Sequence, residues 1–114
     1  MTVNTRAQVL LWTAQRASAA VLALCVLIHL ITMIYAVKSG LSAAEVLGRT
    51  RGNLGWAAFY ALFVAAIAVH APIGLRTIAS EALGWRGAAL DLLMFAVGIA
   101  LALWGWRAVW GVFV

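Results

Sequence analysis

His70 is an imidazole set inside a long apolar stretch. It heads the run His70-Ala71-Pro72-Ile73-Gly74-Leu75-Arg76, which closes a hydrophobic segment that begins at Leu54. An ionisable side chain among so many apolar ones is expensive in a membrane, where such residues face a bundle interior, a cofactor or a proton path. Imidazole is also the usual protein ligand of haem iron. Residues four apart share a helix face. Ala66 and Gly74 therefore flank His70 with almost no bulk, and a flat macrocycle can approach it closely. Arg76 lies where a haem propionate or a quinone would reach it. A plainer reading stands beside this one: a histidine bonded to another helix, with Gly74 serving close packing.

The second histidine, His29, has Cys25 and Met33 one turn to either side and Thr32 nearby. Those neighbours are bulkier than the ones around His70, and Thr32 or a backbone carbonyl could satisfy the ring. A helix rises about 1.5 Å per residue, which puts His29 roughly 20 Å beyond Arg16 and His70 roughly 9 Å from Arg76. If the two segments are antiparallel, the imidazoles differ in depth by about 11 Å. One haem iron needs both axial ligands at nearly the same level, so the two histidines do not easily share one haem. If both are ligands there are two haems, each completed from another chain or another copy; if only one is a ligand, His70 is the better candidate.

The elements that must hold these residues follow from composition. The 114 residues are 67% hydrophobic, with a mean hydropathy of +1.07; soluble domains are about 45–50% apolar. About 20 apolar residues cross a bilayer. Three such spans are predicted, at about 17–37, 54–76 and 87–108. The chain reads as an all-α membrane protein with three transmembrane helices, a single membrane-anchor domain over 1–114. Spans and short connections take up these residues, with no room among them for a soluble catalytic domain. The net charge of +5 comes from basic residues flanking spans, an ordinary membrane pattern, and not from a nucleic-acid surface. The one cysteine, Cys25, is mid-span. Neither a C-x-x-C pair nor a C-x-x-C-H haem-attachment motif is present, so a haem would be held non-covalently. The first apolar run is too long for a signal-peptide core and reads as a retained span.

Local signals mark the boundaries. Met1 to Gln15 reads as an amphipathic lead-in on the membrane surface. Small residues at Ala14 and Ser18, and at Ala19 and Ala23, are spaced for close helix packing. Ser42-Ala43-Ala44-Glu45 has the form of a capping box and predicts a short helix over about 43–48. Asn53 is the expected N-cap of the second span. Pro72 would free the carbonyl of Ala68. Thr77 to Arg86 reads as the second connection, and Asp91, early in the third span, is expected to pair with an arginine. Trp12 and Trp85 fall on the side of the N-terminus; Tyr35, Trp56, Trp104 and Trp106 fall on the other. That division fits three spans, since Trp and Tyr gather at the two interfaces. The basic residues divide four against four and leave orientation open. A small exporter would need an acid in the first span, and Ala17 to Val37 contains none.

His70-x-x-x-Gly74-Leu75-Arg76 resembles the signature of the cytochrome b membrane-anchor subunits of succinate dehydrogenase and fumarate reductase. Gln15-Arg16-Ala17-Ser18-Ala19 resembles that family's His-Arg-x-Ser/Thr-Gly element opening the first span. Chain length and span number match as well. The resemblance implies that His70 binds haem b, and that His29 binds a second, distal haem. It places Arg16, Ser18 and Arg76 beside haem or quinone, with Gly74 making room for the macrocycle. It implies a larger helical bundle with a second membrane-anchor subunit, docked to iron–sulfur and flavoprotein subunits, and electron transfer to or from quinone. It also implies a bacterial inner membrane with the N-terminus in the cytoplasm. The alternative is a haem-free structural anchor for the soluble dehydrogenase subunits. Departures fall on the quinone side: Gln15 replaces a histidine, Ala19 a glycine, and Trp12 stands where many members carry serine.

Overall fold

The computed structural model describes residues 5–114. Four helices follow one another: α1 (Thr5–Lys38), α2 (Ala43–Thr50), α3 (Leu54–Leu83) and α4 (Ala88–Phe113). No strand occurs among the described residues. α1, α3 and α4 are long and apolar enough to cross a membrane, and the chain is a multi-pass membrane protein. α3 is the central rod. α1 packs along it and α4 packs along it, while α1 and α4 barely meet.

Two boundaries differ from the sequence expectation. The expected surface lead-in is not a separate element, because α1 runs unbroken from Thr5 through Arg16 into the span. Thr5 to Gln15 contains neither proline nor glycine, so nothing there ends a helix; Met1 to Asn4 lie outside the described residues. α3 likewise continues past Arg76 to Leu83, and the connection shrinks to Gly84–Gly87. Thr77 to Leu83 holds no breaker, and Ala79 is buried. The helix stops where Gly84 takes the left-handed conformation (φ 66°) that favours glycine. The 34 residues of α1 make a rod of about 51 Å, longer than the ~30 Å hydrocarbon core.

The expected caps are present. Ser42 Oγ accepts from the Glu45 amide at 3.2 Å, and the Ser42 amide donates to Glu45 Oε1 at 3.3 Å. This box starts α2. Asn53 Oδ1 accepts from the Trp56 amide and starts α3. The same connection closes the far end of α4: the Thr50 hydroxyl donates to the Val112 carbonyl at 2.9 Å, and the Gly52 amide donates to the Phe113 carbonyl at 2.8 Å. Two carbonyls that the helix end leaves unpaired are thereby satisfied.

α3 and α4 approach through glycine. A Cβ on Gly98 would lie 3.2 Å from Pro72 Cγ and 3.3 Å from the Ala68 carbonyl oxygen. The carbonyl that Pro72 frees therefore faces α4, not His70. A Cβ on Gly105 would lie 2.5 Å from Val64 Cγ1. The buried apolar core is small: Cys25, Ala66, Ala79, Leu90 and Val109. Most large apolar side chains point outward, as expected where lipid or another helix covers them.

Candidate functional site

His70 reaches the α1 side of α3. It lines a groove of about 490 Å³ whose other walls all come from α1, among them Ala19, Leu22, Ala23 and Val26. Ala66, one turn before it, is buried. Gly74, one turn after, faces Gln15, whose amide nitrogen would lie 3.3 Å from a Cβ there. The Nδ1 of His70 is buried without a hydrogen-bond partner in the chain.

His29 belongs to different surroundings. Its ring stands edge-on to Tyr60 and Phe63 of α3, at centroid distances of 5.9 and 5.7 Å. The expected structural partner, Thr32, donates its hydroxyl to the backbone carbonyl of His29 itself at 2.7 Å. His29 opens onto a cleft of about 700 Å³ that it shares with Tyr35, Trp56, Tyr60, Arg49 and Asn53. It also borders a smaller cleft reaching Gly105 and Val109 of α4. None of the residues lining these clefts lines the His70 groove. Tyr60 and Phe63 lie at the level of His29, seven to ten positions before His70, so the two imidazoles are separated along the bundle by roughly 13 Å.

The arginines divide as well. Arg76 Nε donates to Asp91 Oδ1 at 2.7 Å, the side chains being 30% and 29% exposed. The bond uses Nε and leaves the two terminal nitrogens for an acceptor outside the chain. Arg76 and Asp91 line a further cleft with Pro72, Leu10, Leu11 and Met94. Arg16 is exposed and lies over the Trp12 ring of its own helix, 5.4 Å from the centroid. Ser18 is buried and donates its hydroxyl to the Gln15 carbonyl at 3.1 Å. The fold thus gathers His70, Gly74 and Gln15 at one place, and Arg76 with Asp91 at another. It leaves His29 apart from both, while Arg16, next to Gln15 on α1, has its guanidinium over Trp12.

A model of the succinate dehydrogenase/fumarate reductase transmembrane subunit matches residues 2–106. The chain belongs to that family. Its place is therefore in the membrane part of such a complex. Neither a curated protein nor a solved structure matches the chain.

The two imidazoles differ in what surrounds them. His70 offers an imidazole, a groove, small neighbours and one buried ring nitrogen without a partner. As mere packing, an unpaired buried polar atom costs about 1–3 kcal/mol. A metal-bound histidine, by contrast, has a use for each nitrogen: one binds, and the other donates to a nearby acceptor. His29 offers an imidazole among aromatic walls with a guanidinium at the mouth of its cleft. Among the described residues no three of His, Cys, Asp and Glu converge, so each histidine could supply a single axial ligand. Sequence reasoning passed over Tyr60, Phe63 and Arg49 as parts of this second site. Trp56, Tyr60, Phe63 and Ile67 recur at helical spacing, a stripe that could have pointed to it.

Proposed function

We propose that this chain is a haem b-binding anchor that passes electrons between an iron–sulfur subunit and membrane quinone. The observation that carries the reading is the His70 imidazole, buried at Nδ1 without a partner and bordering a groove flanked by small residues. Bound haem supplies a one-electron carrier within the bilayer. The residues of this chain do the rest. His70 would hold the iron, and Gly74 and Ala66, one turn to either side of it, leave the space beside the imidazole open. Any further protein ligand to that haem would come from a second membrane-anchor subunit, since His29 stands roughly 13 Å off along the bundle.

His29 holds a second, distal haem in its own cleft, where Arg49 meets an acidic edge. Arg76, oriented by Asp91, and Arg16 serve a propionate or the quinone carbonyl on the side of the N-terminus; Ser18 and Gly74 border that region. The soluble flavoprotein and iron–sulfur subunits dock on that side, which is the cytoplasmic face of a bacterial inner membrane.

The test is optical and quantitative. Dithionite-reduced minus oxidised spectra of the assembled complex should show b-type bands and two haems. His70→Ala and His29→Ala should each lose one haem and leave the other measurable. A wild-type complex without haem bands would make the chain a purely structural anchor. One haem per complex, unaffected by His29→Ala, would leave His29 a packing residue.

A further inference from the structure

We infer that Gln15 is the residue that orients His70, its side-chain oxygen accepting a hydrogen bond from the imidazole Nδ1–H. The inference rests on the reading of His70 as a haem ligand and adds a positioning residue to it. Among the described residues, two buried side-chain polar atoms have no partner: Gln15 Oε1 and His70 Nδ1. The two are complementary. The amide oxygen only accepts, and Nδ1 donates in the tautomer whose Nε2 is free to bind a metal.

They lie on facing stretches of α1 and α3, with no hydrogen bond between them in the structure. The Gln15 amide lies against Gly74, where a Cβ would come within 3.3 Å of its nitrogen. Gly74 is one turn from His70 on α3. Ala19, one turn from Gln15 on α1, lines the His70 groove. Gln15 and His70 thus lie about one turn apart along the contact between α1 and α3, a span that a turn of the flexible glutamine side chain could cross. Which atom of a terminal amide faces a given neighbour follows from its hydrogen bonds, and a turn about the last side-chain bond exchanges oxygen for nitrogen. The absent side chain at Gly74 is what lets the amide lie this close. A histidine held this way has a fixed tautomer, a fixed ring plane and a more basic Nε2. Greater basicity favours the ferric state, so Gln15 lowers the potential of the haem that His70 binds.

The test uses the assembled complex isolated from membranes. Gln15→Leu and Gln15→Met remove the acceptor at similar length, and Gln15→Glu strengthens it. Cys25→Ala, buried on α1 but outside this groove, reports on packing alone. Haem content, the midpoint of the His70-dependent haem and its low-spin spectrum are read for each, with His70→Ala identifying that haem. The Leu and Met variants should raise the midpoint and weaken haem retention by on the order of 10-fold. The Glu variant should lower the midpoint, and Cys25→Ala should leave it in place. A wild-type midpoint in the Leu, Met and Glu variants, with haem still lost in His70→Ala, overturns the role of Gln15 alone. An equal shift in Cys25→Ala does the same by assigning the effect to packing. Full haem content in His70→Ala overturns the ligand reading itself. If the Leu and Met variants do not assemble, the Glu midpoint decides: lower supports the inference, unchanged rejects it.

Discussion

At the scale of single residues, Asp91 shows how a charge in a span is accommodated. A carboxylate in a hydrocarbon environment needs a partner, and Asp91 has one in Arg76 at 2.7 Å. The pair joins α4 to α3 on the side of the N-terminus and holds the guanidinium still while its terminal nitrogens remain available. Asp91→Asn should therefore lower the thermal stability of the detergent-solubilised protein by on the order of 1–2 kcal/mol; the partial exposure of both groups keeps the value well below that of a fully buried pair. Arg76→Ala combined with Asp91→Asn should cost less than the sum of the two, read from a double-mutant cycle of melting curves. Additive losses would mean that the bond contributes nothing to stability.

At the scale of helices, α3 and α4 meet through absent side chains. Lipid is as apolar as leucine, so association in a membrane depends on close packing. Gly105 opposite Val64, and Gly98 opposite Pro72 and the Ala68 carbonyl, provide it. Gly105→Ala should push the two helices apart and cost about 1–3 kcal/mol. Adding Val64→Ala should return most of that loss, because the methyl groups in the way are gone. Melting temperatures of the two variants and the double variant check this. A Gly105→Ala protein as stable as wild type would show that the contact relaxes freely.

At the scale of the whole molecule, the helices form a body 51 Å long and about 24 by 22 Å across. Thr5 and the 84–87 connection lie at one end, and the 39–53 connection with Val114 lies at the other. With the N-terminus in the cytoplasm, a membrane-impermeant maleimide applied to intact spheroplasts should label Ser39→Cys and spare Ala82→Cys. Both substitutions belong in a Cys25→Ala background. Labelling of position 82 from outside would reverse the orientation.

The three spans, the capping box at Ser42, the N-cap at Asn53 and the prominence of His70 were all readable from the chain itself. Each depends on interactions within a few residues, or on the plain apolarity a bilayer demands. The family resemblance was readable too, because its motif is a local run. α1 and α3 run past the expected span ends at Arg16 and Arg76, because a helix continues until a conformation such as that of Gly84 ends it. Only the packing of α1 on α3 set Gln15 against Gly74, where sequence alone presented Gln15 as a departure from the family pattern. That packing also gave His29 aromatic walls at Tyr60 and Phe63 and a cleft apart from the His70 groove. Separation in depth follows from the fixed helical rise and could be counted along the chain. Which side chains share a cavity depends on how the rods turn about their axes, and contacts between distant residues decide that.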